Sequence, residues 1–298
     1  MISRGRHGKG MRTQACTVFI PAYRQPALLK GCINSVLNSL SARIVILDDS
    51  GDNSIRDCIA EIRRTWKTAT VEYIECMDYE ARTSHISSWN RYKDLINRKP
   101  SEHSLYINFR HHDDHLLTQE SQGIVEDLDW RATNAMIIHP IMTPALKIGR
   151  IQLMRYHCPP TLQRLLLKYL PHELIILFNY IGPTACVWVR QDLALNAPAF
   201  NEKLQWLVDV DWYYSLASRC KVSEIDVSRN AANSSVINTQ SITNQLYPRI
   251  AELQQKERMR ITETVRISPW LHLLAAVLRP LNRFLSWILL KPELNHGS

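Results

Sequence analysis

Glycine and paired cysteines are scarce in this chain. It has nine glycines among 298 residues, too few for a loop that holds nucleotide phosphates with closely spaced glycines to be expected. The seven cysteines form no C-x-x-C pair, a pattern that fits neither a zinc ribbon nor a disulfide framework. We therefore expect free thiols in a reducing cytoplasm. No apolar stretch precedes Thr17, so no signal peptide is expected.

Acidic residues are missing from one end of the chain and rare at the other. Residues 1–12 hold four basic side chains and no acid, and residues 258–298 hold six against two, which accounts for the net charge of +8. A nucleic-acid-binding protein more often carries its basic patch on the folded body, so no nucleic-acid partner is expected. Basic ends on a neutral body favour an anionic membrane surface, with two solvated tails as the alternative.

The hydrophobic pattern of the first half alternates short β-rich runs with helically spaced apolar residues. Strands are predicted at 17–21, 44–47, 71–76 and 104–109, and helices at 26–40, 54–66 and 82–97. Such alternation builds a mostly parallel sheet with right-handed crossovers. The sequence therefore predicts an α/β protein with a Rossmann-like sheet flanked by helices.

A first acidic pair, Asp48 and Asp49, comes directly after an apolar strand. Ligands of parallel sheets bind at the carboxyl ends of the strands. A carboxylate at such a place can accept the imide N–H of a pyrimidine base or a ribose hydroxyl. The alternative is an Asx turn that caps the next helix and needs no ligand.

A second acidic pair, Asp113 and Asp114, follows the strand near residue 109. Neighbouring carboxylates at a strand end suit a hard divalent cation that also binds diphosphate oxygens, which predicts Mn²⁺ or Mg²⁺. The rival interpretation is a transition-metal site of a phosphohydrolase that uses His111, His112 and His115.

A third acidic pair lies on a helix predicted over residues 204–218. Asp209 and Asp211 are two positions apart, and residues so spaced point to well-separated sides of a helix. Only one of them is expected to line a cleft. An aspartate there can act as a general base by taking the proton of a nucleophilic hydroxyl.

These pieces together resemble the family-two glycosyltransferases, inverting enzymes with the GT-A fold. The resemblance covers roughly residues 15–220 and depends on the order and spacing of its blocks. The blocks are TVFIPAYRQPALLKGCINSVL (17–37), IVILDDSGDNS (44–54), WNR (89–91), HHDDHLL (111–117), NYIGPT (179–184) and FNEKLQWLVDVDWYY (200–214).

The resemblance implies roles for individual residues of the donor site. Pro21, Ala22 and Tyr23 would wall the nucleotide base, and Asp49 or Asp48 would hold it. The donor would be a nucleotide sugar, most simply a UDP- or dTDP-sugar.

The resemblance also implies a metal ligand and a base. Asp114 would ligate the metal with Asp113 nearby, and Asp209 would be the catalytic base, with Asp211 as second choice. Val208 replaces the first acid of the family's pair, and His112 stands where many members have the first carboxylate of a D-x-D motif.

The expected function is the transfer of one sugar to a hydroxyl of a glycan or lipid-linked acceptor in surface polysaccharide synthesis. The Q-x-x-R-W signature of processive synthases is absent from the sequence. Two alternatives remain open. One is a sugar nucleotidyltransferase, and the other is a degenerate, membrane-docked module that binds nucleotide or glycan without catalysis.

Three parts of the chain are predicted. They are a basic, flexible N-terminus (1–14), a GT-A domain (15–242), and a basic, helical region (243–298). The GT-A domain divides into a nucleotide-binding half, about 15–130, and an acceptor half, about 131–242.

The last apolar segment, Trp270–Leu290, is interrupted by two arginines and a proline. These interruptions argue against a membrane span and favour a pair of amphipathic helices lying in the membrane interface. The alternative is that the helices cover the protein's own core. The expected location is cytoplasmic, peripheral on the inner face of the membrane.

Overall fold

The strands of the molecule form two sheets. The computed structural model describes residues 16–76, 86–98, 104–116, 134–149, 151–228, 233–235 and 249–292. The strands are β1 (Cys16–Ala22), β2 (Ala42–Asp48), β3 (Val71–Glu75), β4 (Tyr106–Phe109), β5 (Asp114–Leu116), β6 (Met136–Ile138), β7 (Ile141–Ile148), β8 (Ile151–Tyr156), β9 (Val187–Arg190), β10 (Ile225–Val227), β11 (Asn233–Ser235) and β12 (Lys291–Pro292).

The larger sheet has seven strands in the order β10-β6-β9-β4-β1-β2-β3. Strands β4, β1, β2 and β3 run parallel, while β9 is antiparallel to both of its neighbours, β4 and β6. Residues along β1 alternate between two hydrophobic clusters, with Val18 and Ile20 in one and Phe19 in the other. Both faces of this sheet are thus buried, which explains the continuous apolar runs of its strands.

The smaller sheet has five strands in the order β12-β8-β7-β11-β5. Its strand β5 begins at Asp114, only a short turn after β4 ends at Phe109. The second acidic pair therefore lies where the chain passes from one sheet to the other.

Nine α-helices occur in the described part of the chain. They are α1 (Pro26–Ser39), α2 (Ser54–Thr65), α3 (Ile86–Arg98), α4 (Pro160–Tyr169), α5 (Leu174–Leu177), α6 (Gln191–Asn196), α7 (Val208–Ala217), α8 (Ile250–Thr264) and α9 (Pro269–Ile288). Helix α2 illustrates why these helices form. Its buried residues recur at helical spacing, so they all lie on the face that packs on the core; they are Ile55, Cys58, Ile59 and Ile62. The predicted α/β architecture is confirmed.

Two helix predictions need correction. The helix expected to begin at Leu204 begins at Val208, and the backbone amides of residues 205–207, just before it, donate to the side chain of Glu257 in α8. The pair of helices expected over the last apolar segment is one continuous helix, α9, with Pro280 inside it. Proline leaves the carbonyl four residues earlier without its helical donor, and that residue, Ala276, is exposed to water.

The two long C-terminal helices share a core with the sheets. Ile261 of α8 and Leu271, Ala275 and Leu278 of α9 are buried in the same cluster as Phe109 of β4. One face of α9 thus covers the protein's own core, as the alternative interpretation proposed. Among the described helices, none is both long and apolar enough to cross a membrane. The predicted N-terminus 1–14 and the 242/243 boundary lie outside the described residues.

Candidate active site

The first acidic pair lies at the end of β2 and is held by side chains of neighbouring elements. Asp48 accepts hydrogen bonds from the Ser50 amide and the Tyr73 hydroxyl, both at 2.8 Å. Asp49 accepts one from the Ser88 hydroxyl of α3, also at 2.8 Å. Burial, and then the bond to Asp48, raises the pKa of Tyr73 to about 12, so its hydroxyl stays a donor. Both carboxylates are buried and fixed in orientation.

The residues predicted to wall the nucleotide base lie at the end of β1 and directly after it; they are Pro21, Ala22 and Tyr23. Ala22 is buried, whereas Tyr23 is 51% exposed, and the Arg24 guanidinium lies 5.3 Å from the centroid of its ring. The next residue, Arg24, has a left-handed φ of 46°, and its amide donates to the Ser50 hydroxyl at 2.9 Å. This bond joins the loop after β1 to the loop after β2, so the wall and the first acidic pair lie side by side.

The second acidic pair belongs to the turn from His111 to Asp114. The Asp114 amide donates to the His111 carbonyl at 3.0 Å. The Asp114 side chain is buried, while Asp113 is half-buried. Nε2 of His112 lies 3.0 Å from Oε1 of Gln25, and burial lowers the pKa of His112. The turn therefore packs against the loop that follows β1, and its most exposed carboxylate is Asp113.

The side chains of this turn can be compared with the ligands that a divalent cation requires. Among the described residues, no group of three or more His, Cys, Asp or Glu side chains could hold a metal by itself. Mg²⁺ and Mn²⁺ in nucleotide sites are bound by one or two carboxylates, and phosphate and water oxygens complete the shell. Two adjacent carboxylates satisfy that requirement, so Asp113 and Asp114 fit such an ion in the presence of a diphosphate.

Asp209 lies in the first turn of α7, half-buried and enclosed by protein on most sides. Desolvation raises its pKa from 3.8 to about 6, against smaller opposing effects of the Val210 amide, His111 and Asn179. The Val210 amide donates to Oδ1 at 2.8 Å, and the Asn179 amide reaches Oδ2 at 3.4 Å. The effect of His111 on this pKa places Asp209 within electrostatic range of the His111–Asp114 turn.

Asp211 has different surroundings on the same helix. It is half-buried; burial raises its pKa, and a hydrogen bond with the Asn201 side chain opposes that shift. The two acids of α7 therefore have separate partners, as their spacing predicts.

Asn179 is a site residue whose role the sequence did not indicate. Its Oδ1 accepts the amides of Ile181 and Gly182 at 3.1 and 3.0 Å, and its Nδ2 is the group that reaches Asp209. Gly182 has φ of 107°, which strains any other residue. The NYIGPT block is therefore a tight turn that presents one amide to the candidate base.

Glu257 of α8 is the second residue that sequence reasoning missed. This carboxylate is 2% exposed and accepts the backbone amides of Gln205, Trp206 and Leu207 at 2.7, 3.0 and 2.8 Å. It thereby satisfies donors just before α7 and places negative charge near the positive end of that helix. No spacing rule links position 257 to 205–207, so only the fold reveals this contact.

Comparison with known proteins bears on the fold. No protein-family profile matches the chain, and no curated protein matches it in sequence. Solved structures do match. The mannosyltransferase PcManGT from Pyrobaculum calidifontis, solved with GDP-Man and Mn²⁺, has a TM-score of 0.55 at 10% identity over 90% of this chain and 74% of its own.

A second similar structure is S. aureus TarS. Its residues 1–349 give a TM-score of 0.52 at 14% identity over 74% of this chain, and the longer TarS structure gives 0.51 over 83%. This chain spans 60% of the shorter TarS structure and 38% of the longer one. The chain has the GT-A fold, as its sequence predicted.

Proposed function

We propose that this protein is an inverting, non-processive glycosyltransferase that moves one sugar from a nucleoside diphosphate to an acceptor hydroxyl. The observation that carries the proposal is Asp209, a half-buried carboxylate with a raised pKa beside the turn that holds the second acidic pair. A base with a pKa near the working pH combines ionisation with proton affinity. The GT-A fold, shared with a mannosyltransferase solved with GDP-Man and Mn²⁺, supports this interpretation.

The donor nucleotide is proposed to bind at the ends of β1 and β2. Pro21, Ala22 and the exposed Tyr23 form a wall on which the nucleotide base stacks. Asp49 accepts the imide N–H of the base, and Asp48 supports the loop. Asp49 is proposed over Asp48 as the contact because it is the next residue outward from the strand. An imide donor is typical of uracil and thymine, which favours a UDP- or dTDP-sugar.

Asp113 and Asp114 are proposed to hold Mn²⁺ or Mg²⁺ together with the donor diphosphate. The bound cation neutralises charge on the leaving nucleoside diphosphate. Asp114 is buried and Asp113 is more exposed. Because their environments differ, each carboxylate is to be substituted separately.

The proposed chemistry of Asp209 is proton removal. Its ionised carboxylate accepts the hydrogen bond of the acceptor hydroxyl and takes the proton as the oxygen attacks the anomeric carbon. The bond between that carbon and the diphosphate oxygen breaks on the opposite face, so the configuration inverts through an oxocarbenium-like state. The acceptor is proposed to be a glycan or a lipid-linked sugar in surface polysaccharide synthesis.

The proposed location is the cytoplasm, at the inner face of the membrane. All seven cysteines lie in the described residues; none forms a disulfide, and six are buried. This state agrees with a reducing compartment.

The test is thermal stabilisation by a panel of UDP-, dTDP- and GDP-sugars, each with and without Mn²⁺. We expect metal-dependent stabilisation by one nucleotide, and loss of the metal dependence in Asp113→Asn or Asp114→Asn. Asp57→Asn, which alters an acid in the first turn of α2, is the matched control. Lack of response to every donor would instead support the degenerate binding module.

A further inference from the structure

One side of helix α9 is apolar and exposed to solvent. Its large side chains recur every three or four positions, with exposures between 41% and 72%. They are Trp270, Leu273, Val277, Leu281, Phe284 and Ile288. A helix of 20 residues is about 30 Å long, so this stripe is a long apolar face with a tryptophan at its start. Exposed apolar surface of that extent marks an interaction site.

The hairpin of β7 and β8 extends this apolar face. Leu146, Ile148 and Ile151 are 45%, 58% and 56% exposed, and Ile148 pairs with Ile151 across the hairpin, so both side chains are on one face. The hairpin is joined to α9 through β12, which pairs with β8, and through the Arg155 guanidinium over the Trp287 ring at 5.8 Å. We call α9 and this hairpin the docking surface.

The docking surface lacks negative charge in its sequence. Residues 141–156 and 265–292 together contain no Asp or Glu, against seven Lys and Arg. The exposed basic residues of the described part include Lys147, Arg283 and Lys291. A basic surface with an apolar stripe complements a layer of anionic headgroups above acyl chains. Pairing with a second copy of the same surface would bring like charges together.

We propose that the docking surface binds the surface of a bilayer that contains anionic lipid. The apolar stripe of α9 and the hairpin tip enter the boundary between headgroups and acyl chains, and the basic side chains contact the headgroups. Trp270 and Trp287 lie on the exposed side of α9, and the amphipathic ring of tryptophan is favoured in membrane interfaces.

The docking surface is also connected to the candidate base. Asn282 of α9 donates to the His157 carbonyl at 3.0 Å, and the His157 ring lies 2.8 Å from the Asn179 carbonyl. Asn179 in turn reaches Asp209. A docked bilayer would therefore lie a few side chains from Asp209, where a lipid-linked acceptor could present its hydroxyl. This last step rests on the proposed function, whereas membrane binding does not.

The experiment is flotation of the full chain with vesicles. Vesicles of phosphatidylcholine alone are compared with vesicles that contain about 30% phosphatidylglycerol, at about 0.1 M and about 0.5 M salt. We expect flotation with the anionic vesicles, weakened by high salt and by neutral lipid. Leu273→Glu and Phe284→Glu should each lower the partition coefficient about tenfold, because each removes an inserted side chain and adds a repelled charge.

The control is Val222→Glu, which makes the same kind of change at a residue that is 42% exposed and lies outside the docking surface. It should float like the wild type. All three changed side chains are exposed, and unchanged melting curves would verify that the variants are folded. Donor stabilisation, measured without vesicles, should be retained in all three.

Three outcomes would overturn the proposal. The first is a wild type that does not float with anionic vesicles at low salt, and the second is flotation unaffected by both glutamate substitutions. The third is a soluble dimer that the same substitutions dissociate, which would assign the surface to a second copy. A wild-type protein that floats with anionic vesicles but binds no nucleotide sugar would contradict the proposed transferase function and leave the membrane proposal standing.

Discussion

The candidate site has a donor half, the loops after β1 and β2, and a base half, the helix α7 that carries Asp209. The two halves are held in place by hydrogen bonds from different parts of the chain. The loops after β1 and β2 are fixed by bonds to the neighbouring elements β3 and α3, such as Asp48 to Tyr73 and Asp49 to Ser88. The base helix depends on Glu257, some fifty residues further along the chain. The donor half is therefore a property of the parallel sheet, whereas the position of Asp209 also depends on the C-terminal helices, beyond the residues that resemble the family.

Substitution of the proposed base should have the largest effect, and that effect should be confined to the base half. Asp209→Asn should lower transfer by about 10²–10⁴-fold, the usual contribution of a general base, while donor stabilisation stays near that of the wild type. Asp211→Asn is the matched control, because it makes the same change two positions along α7 and should lower transfer only slightly. Equal losses in the two variants would show that the base is wrongly assigned.

Removing the support of the base helix should have the next largest effect. Glu257→Ala leaves three amides, that of the buried Leu207 among them, without their carboxylate, which should lower the free energy of unfolding by about 2–4 kcal/mol. Transfer should fall with little change in donor affinity, and Glu257→Gln should restore part of both properties. Chemical denaturation together with separate kcat and KM values measures this.

The control for Glu257 is Glu252→Ala, which removes an exposed glutamate from the same helix. It should leave stability and transfer nearly unchanged. Donor affinity that falls as much as kcat in Glu257→Ala would contradict the separation between the two halves.

The pH dependence of transfer should be set by the base half. Because burial raises the pKa of Asp209 to about 6, kcat/KM should fall about tenfold for each pH unit below that value. Folding raises this pKa above 3.8, so the ionised carboxylate costs stability above about pH 6, and the cost disappears as the pH falls toward 4. Asp209→Asn should therefore melt at a higher temperature than the wild type at about pH 8. An acid limb near pH 4 would contradict the desolvated base.

The smallest change is expected from loosening the donor half. Ser88→Ala removes one hydrogen bond to Asp49, which is worth about 1 kcal/mol and should weaken donor affinity about fivefold. Since this bond involves neither Asp209 nor the acceptor in the proposed mechanism, kcat should stay close to the wild-type value. Ser87→Ala changes the neighbouring hydroxyl, which bonds Glu202 instead, and should leave donor affinity unchanged. A larger effect on kcat than on donor affinity would remove the distinction between the halves.

The sequence predicted the parts of the molecule whose pattern is local. The apolar runs of β1 and β2, the helical spacing of α2 and the acids at strand ends all follow from periodicity and turn chemistry. The start of α7 was predicted four residues too early, and the Glu257 contact with the amides before it could not be inferred from spacing. Pro280 suggested a break in the last segment, yet α9 continues through it because the affected carbonyl faces water.

The measurement that tests the central claim most directly is the anomeric configuration of the sugar released by slow donor hydrolysis, with water as acceptor. Proton NMR of the first product, formed from whichever nucleotide sugar stabilises the protein, gives that configuration before mutarotation. An inverting transferase should release the inverted anomer, and Asp209→Asn should lose that release while donor binding persists. Release with retained configuration, or release undiminished in Asp209→Asn, would contradict an inverting transferase with Asp209 as its base.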